Sequence, residues 1–169
     1  MIILFSTITS LVALAIAGFW AINFRKTELK NDKVREIAGF IRTSARAYLV
    51  REYRTIAFVG AGIFVILFIL LGWKVALGFL VGGAASALAG YIGMTVSVYA
   101  NGATAEAAES SEAAGFKVAF RSGAVTGLMV AGLALLVMSL FYYFIGDLAA
   151  FIGLGFGGSL VSIFARIGG

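Results

Sequence analysis

Apolar positions along this chain run together in long unbroken blocks, and polar residues collect in the gaps. The first block, Ile2 to Asn23, spans about 33 Å as a helix at 1.5 Å per residue, enough for a hydrocarbon core. A second extends from Ile56 to Gly72 and ends on Trp73 and Lys74, residues that suit a membrane interface. Val75 to Ala100 and Ser122 to Ile145 follow. After a hinge at Gly146 and Asp147, a fifth block from Leu148 to Ala165 covers about 27 Å, slightly short of a full crossing. The polar stretch before the second block has apolar residues at helical three and four spacings: Val34, Ile37, Ala38, Ile41, Ala45, Tyr48 and Leu49. It therefore reads as an amphipathic extension of the second helix. The pattern predicts an all-α polytopic bundle with helices at about 2–23, 33–72, 75–100, 117–145 and 148–169, making five transmembrane helices in one unit, 1–169.

Composition agrees with that solvent. Hydrophobic residues make up 62% of the 169 positions and charged residues 12%. A water-soluble domain this small could not hide so much apolar surface. Cysteine and histidine are both absent, which removes thiol nucleophiles, imidazole bases and the usual zinc ligands. Proline is also absent while glycine numbers 22, a composition suited to uninterrupted helices that approach closely. Two glycine patterns read as notches: Gly78, Gly82, Ser86 and Gly90 at intervals of four, and Gly123 with Gly127. A cleaved signal peptide is the rival reading of the first block. It is disfavoured because no Lys or Arg precedes the apolar run, whereas Arg25 and Lys26 follow it.

The net charge of +5 is local. Residues Phe24 to Arg54 hold nine of the thirteen basic side chains and four acids, so the rest of the chain balances to zero. That block is a solvated collar setting topology or a ligand site; the collar is the simpler reading, and no nucleic-acid partner is implied. Placing 24–54 in the cytoplasm puts 101–121 there too, with eleven Lys or Arg against Lys74 alone on the other side. The N-terminus then lies outside, and Arg166 near the cytoplasmic face.

Candidate chemistry is sparse. Glu106, Glu109 and Glu112, three apart, could hold a cation but read more simply as a solvated face. The aromatics Phe141 to Phe144 read as an interfacial belt, and Met94, Met129 and Met138 as packing residues. The "GLGFGG" stretch at Gly153 to Gly158 lies within an apolar helix and lacks the strand before it that a phosphate loop needs. Ser159, Ser162 and Arg166 recur at three, four and seven and share a helical face. Hydroxyls bonded to their own helix and a snorkelling arginine would explain them, as would a polar track along an ion path.

Four ordered blocks carry a family resemblance. "EIAGFIRTSARAYLVREYRTIA", "SALAGYIGMTVSVYANGATAEAA", "KVAFRSGAVTGLMVAGLALL" and "GFGGSLVSIFARIGG" resemble successive segments of membrane-bound, ion-pumping inorganic pyrophosphatases. The resemblance implies a single-chain pump of about sixteen helices, each satisfying its backbone internally in lipid. It implies a homodimer in a prokaryotic cell membrane that couples hydrolysis of magnesium pyrophosphate to export of protons or sodium ions. Mg²⁺ is the implied cofactor and K⁺ a further candidate. Arg166 matches the family arginine at the top of the ion channel, and Ser159 a serine lining the ion gate; both are coupling residues by resemblance. The family's acidic, pyrophosphate-holding signature falls after the glycines matching Gly168 and Gly169. This chain is therefore expected to be the N-terminal portion, with catalytic and metal ligands elsewhere and no hydrolysis of its own. The alternative is a stand-alone membrane scaffold or regulatory protein, suggested by the glycine stripes.

Overall fold

The computed structural model describes the backbone of residues 1–25 and 28–168 and the side chains of 1–24 and 28–165. Five helices account for nearly all of it: α1 Ile2–Arg25, α2 Asp32–Leu71, α3 Trp73–Ser110, α4 Glu112–Ile145 and α5 Ala150–Gly168. No strand occurs among the described residues. α1 to α4 are each long and apolar enough to cross a membrane, whereas the apolar run of α5, residues 150–165, is shorter. The 40 residues of α2 and the 38 of α3 extend about 60 and 57 Å, roughly twice a hydrocarbon core. Their surplus length projects from one end of the bundle.

The largest departure from the predicted elements lies in 101–121. Its polar residues do not interrupt the helix: α3 runs on to Ser110 and α4 begins at Glu112, with Ser111 as the only break. "NGATAEAAES" is rich in alanine and glutamate, which hold a helix in water as well as in lipid. Ser111 turns the chain because its extended backbone lets its hydroxyl accept from the Ala114 N–H and cap α4. At the opposite end the reversals need glycine. Gly72 (φ 86°) separates α2 from α3, and Gly146 (φ 62°) closes α4. Lys74 and Asp147 meet across these two turns, Nζ donating to Oδ2 at 3.2 Å. That ion pair puts both reversals at the same end, as alternating spans require. The Lys74 ammonium, helped by the Ala149 N–H, holds the Asp147 carboxyl below the usual carboxylate range.

α3 is the hub. α4, α5 and α2 pack around it, and α1 lies mainly on α4. Ala17, Phe24, Val96, Ala100, Val125 and Met129 form the core among α1, α3 and α4, and Leu29, Ala38 and Ala103 a smaller one beneath the α1–α2 connection. Outside these clusters the helices present apolar surface: Phe58, Ile69 and Leu70 are each more than 70% exposed. Water would not tolerate such a belt, and lipid does. Three hydroxyls within α1 are satisfied by the helix itself, those of Thr7, Thr9 and Ser10 donating to the Ile3, Phe5 and Thr7 carbonyls.

The glycine expectations divide. Gly78 and Gly82 of α3 face α5 so closely that a Cβ on either would meet the Ala150 or Leu154 carbonyl, and Gly153 and Gly157 reciprocate against Val75 and Phe79. Gly123 and Gly127 have nothing near them, which corrects the notch expected there. α4 approaches its neighbours through Gly132, against Leu14 of α1, and through Thr126, which fills the space at Gly93 of α3. The aromatic belt also needs amending. Phe141 is buried, edge-on to Phe151 at 5.7 Å, while Tyr142 to Phe144 remain exposed.

Candidate functional site: a cleft between α2 and α5

Backbone contact fixes where α5 stands. With glycines on both sides, α3 and α5 meet main chain to main chain, and the Ser86 hydroxyl donates to the Gly158 carbonyl at 3.1 Å. α2 is held differently: the Tyr53 hydroxyl donates to the Ala87 carbonyl at 2.7 Å and sits over Gly90, where a Cβ would lie 3.3 Å from it. The two anchors lie at neighbouring positions of α3 but on different partners, so α2 and α5 diverge around it. Between them opens a cleft of about 810 Å³.

Ser159 and Ser162 of α5 line this cleft, as their shared helical face requires. Arg166 falls in the helical backbone two turns beyond Ser159, but its side chain lies outside the described residues. The structure therefore places Ser159 and Ser162 together and locates only the main chain of Arg166.

From α2 the same cleft receives Tyr48 and Glu52, which sequence reasoning assigned to a packing stripe and a charge block. The Tyr48 hydroxyl and Glu52 Oε1 are buried without a well-formed hydrogen bond among the described residues, within electrostatic reach of each other. Groups of this kind are costly in a folded interior. A signal for Glu52 was present in the spacing. Ala38, Ala45, Leu49, Glu52 and Ile56 follow one another by seven, four, three and four, so the carboxylate occupies a position on the inward stripe. Opposed across the cleft are thus a carboxylate and a phenol on α2 and two hydroxyls on α5. This set can pass or briefly hold a small cation or proton, and it offers no nucleophile with its base.

The acidic face of α3 is not simply solvated. Glu106 Oε1 accepts from the Asn31 backbone N–H at 2.6 Å, and Glu109 Oε1 from Asn31 Nδ2 at 3.0 Å. Asn31 Oδ1 in turn caps α2, accepting from the Lys33 N–H at 3.1 Å. Two of the three glutamates thereby anchor the start of α2, which corrects the expectation of a free surface. Arg35 reinforces the same turn through the Leu29 carbonyl at 2.6 Å. The residues present do not fit Mg²⁺: among those described, no three acidic side chains converge to hold a metal, and the best-placed pair is committed to Asn31.

Comparison with known proteins identifies the family. The sequence model of the family "Inorganic H+ pyrophosphatase" matches residues 11–169. A K(+)-insensitive pyrophosphate-energized proton pump of Methanosarcina mazei is 48% identical over 164 residues, covering 96% of this chain and 24% of the relative. A putative K(+)-stimulated pyrophosphate-energized sodium pump of Clostridium tetani is 38% identical over 168 residues, covering 99% and 25%. A second K(+)-insensitive proton pump, from Moorella thermoacetica, is 41% identical over 167 residues, covering 94% and 24%. The chain spans about a quarter of the length of the curated relatives it matches. With a family match across nearly the whole chain and an all-helical apolar bundle beneath it, this chain belongs to the inorganic H⁺ pyrophosphatase family.

Proposed function

We propose that the chain is the N-terminal, five-helix part of a pyrophosphate-energised ion pump that couples cytoplasmic pyrophosphate hydrolysis to export of protons or sodium ions. Its contribution is a rigid helix scaffold and one wall of the ion path. The observation that supports this reading is the polar face of α5: Ser159 and Ser162, both exposed on the chain, line the same α2–α5 cleft as Glu52. In the full-length pump Arg166, two turns on, couples that wall to the hydrolytic centre. Mg²⁺ and pyrophosphate belong to parts of the pump outside this chain, K⁺ is a further candidate cofactor, and the pump works as a homodimer among membrane lipids. The scaffold alternative loses its motive, since the α3 glycine stripe is occupied by α5 and α2 within the chain.

The decisive experiment compares Ser159→Val and Arg166→Ala with the wild type in the full-length pump reconstituted in vesicles. Both variants are expected to lower ions moved per pyrophosphate hydrolysed, and Arg166→Ala to impair hydrolysis as well. Wild-type coupling in both would overturn the reading. The 169-residue chain alone is expected to release no phosphate from pyrophosphate. Orientation is testable because the chain has no cysteine: an impermeant maleimide should reach Trp73→Cys from outside the cell and Ser110→Cys only in inverted vesicles.

A further inference from the structure

A groove of about 700 Å³ runs between α2 and α3, on a different flank from the α2–α5 cleft. Its polar end holds Arg42 and Arg46, one turn apart on the same face of α2. The Arg42 guanidinium lies over the Tyr99 ring, 4.2 Å from its centroid, which fixes its plane. Its Nε is buried and has no hydrogen-bond partner among the described residues. Among the described residues neither arginine forms an ion pair there, and no carboxylate lines the groove. Three of the other donors are committed: the Thr43, Thr95 and Tyr53 hydroxyls donate to the Gly39, Tyr91 and Ala87 carbonyls. What the groove offers is guanidinium N–H groups, with the Tyr91 and Tyr99 hydroxyls beside them, a donor set that matches phosphate oxygens.

Depth decides between a dissolved anion and a lipid. Exposed Trp73 marks one membrane face. Counted along α3 from there, Tyr91 lies about 27 Å and Tyr99 about 39 Å away. A bilayer has about 30 Å of hydrocarbon and about 40–45 Å with its headgroups. The groove thus begins at the edge of the hydrocarbon and ends at the level of the opposite phosphates. Its lower half is lined largely by apolar surface from Leu49, Val50, Tyr91 and Met94, with Val50 and Tyr91, each more than half exposed, at its lipid-facing edge. A free phosphate would leave that half wet, whereas a phospholipid fills both halves at once. A choline headgroup would bring a cation towards two guanidiniums, so the lipid is anionic.

We propose that Arg42 and Arg46 bind the phosphate of an anionic phospholipid, whose glycerol and upper acyl chain lie along the apolar half of the α2–α3 groove. The site pins the long α2 against α3 at the headgroup level.

Native mass spectrometry of the detergent-purified chain, with phosphatidylglycerol and phosphatidylcholine titrated separately, tests this. Wild type should retain one phosphatidylglycerol roughly thirtyfold more tightly than phosphatidylcholine, from two basic side chains at the membrane surface. Arg42→Gln/Arg46→Gln should lose that preference. Arg51→Gln/Arg54→Gln removes the same charge from residues that do not line the groove, and should keep it. If the double variant does not fold by circular dichroism, Arg46→Gln alone serves, with loss of a substantial part of the preference expected. Equal losses in groove and control variants would reduce the effect to the general charge of the collar and overturn the site. Displacement of phosphatidylglycerol by inorganic phosphate, bound as tightly in its place, would overturn the lipid assignment in favour of a free anion.

Discussion

Replacing Gly157 by alanine adds one methyl group where α5 touches α3. The new Cβ would run into the Phe79 carbonyl and lie 2.8 Å from the Gly83 nitrogen. Both obstacles are backbone within a helix, so neither can swing aside, and α5 must retreat by more than about an ångström to regain ordinary contact with the Phe79 carbonyl. Overpacking of this kind costs about 1–3 kcal/mol. The retreat also stretches the Ser86–Gly158 hydrogen bond beyond its 3.1 Å, putting a further ~1 kcal/mol at risk. Gly155→Ala is the matched control: same helix, same chemistry, with nothing within 4 Å of its Cβ. There alanine removes the conformational cost of a helical glycine and should stabilise by about 0.5–1 kcal/mol. The two variants should therefore differ by about 2–4 kcal/mol. Reversible unfolding of the chain in mixed micelles, with increasing fractions of dodecyl sulfate, reads the difference as a displacement of the midpoint. Equal midpoints for the two alanines would refute the claim that α5 is seated by main-chain contact with α3.

Acid should loosen the turns at one end of the bundle. Because the fold holds Asp147 below its usual carboxylate range, the Lys74 pair contributes fully above the ordinary aspartate value of 3.8, and its contribution is lost as pH falls through the lower folded value; Asp147→Asn should abolish this dependence in the same titration. Asn31→Ala removes the α2 cap and its link to Glu109, and should cost about 0.5–2 kcal/mol, with faster amide exchange confined to residues near 28–36; unchanged exchange there would argue against the anchor. Glu52→Gln replaces a carboxylate whose Oε1 is buried and poorly bonded, and should stabilise the isolated chain by about 1 kcal/mol while lowering ion coupling in the full-length pump. A destabilised chain with normal coupling would remove Glu52 from the ion path.

Hydropathy made the spans legible because burial in lipid demands long apolar runs, so α1 and α2 fall within two residues of their predicted ends. It failed at 101–121, where polarity was taken for a break. Polar residues end a span without ending a helix, and only the backbone at Ser111 marks the turn. Glycine spacing located the α3–α5 contact but misjudged Gly123 and Gly127, since periodicity defines a face without saying what lies against it. Ser159 was legible as part of a polar face, whereas Glu52 was hidden among the charges of the collar. Asn31 and Glu106 are 75 positions apart, and no local pattern could join them.

The two walls of the cleft are built to different stiffness. Ser159 stands on a helix whose main chain is interlocked with α3 through four glycines and a serine, so it cannot shift unless α3 shifts with it. Tyr48 and Glu52 stand on α2, which meets α5 only sparsely and is tied to α3 at this level through the Tyr53 hydroxyl and, one turn further along α3, its edge-on contact with Tyr91 at 6.4 Å. Any change in the gap between the carboxylate and the serines is therefore a movement of α2. The restraints on that movement lie at the helix's own distant end, where Asn31 and Arg35 fasten it, and at the groove where Arg42 stacks on Tyr99. Loosening either should change the cleft without touching a residue that lines it, which makes the collar a mechanical part of the site.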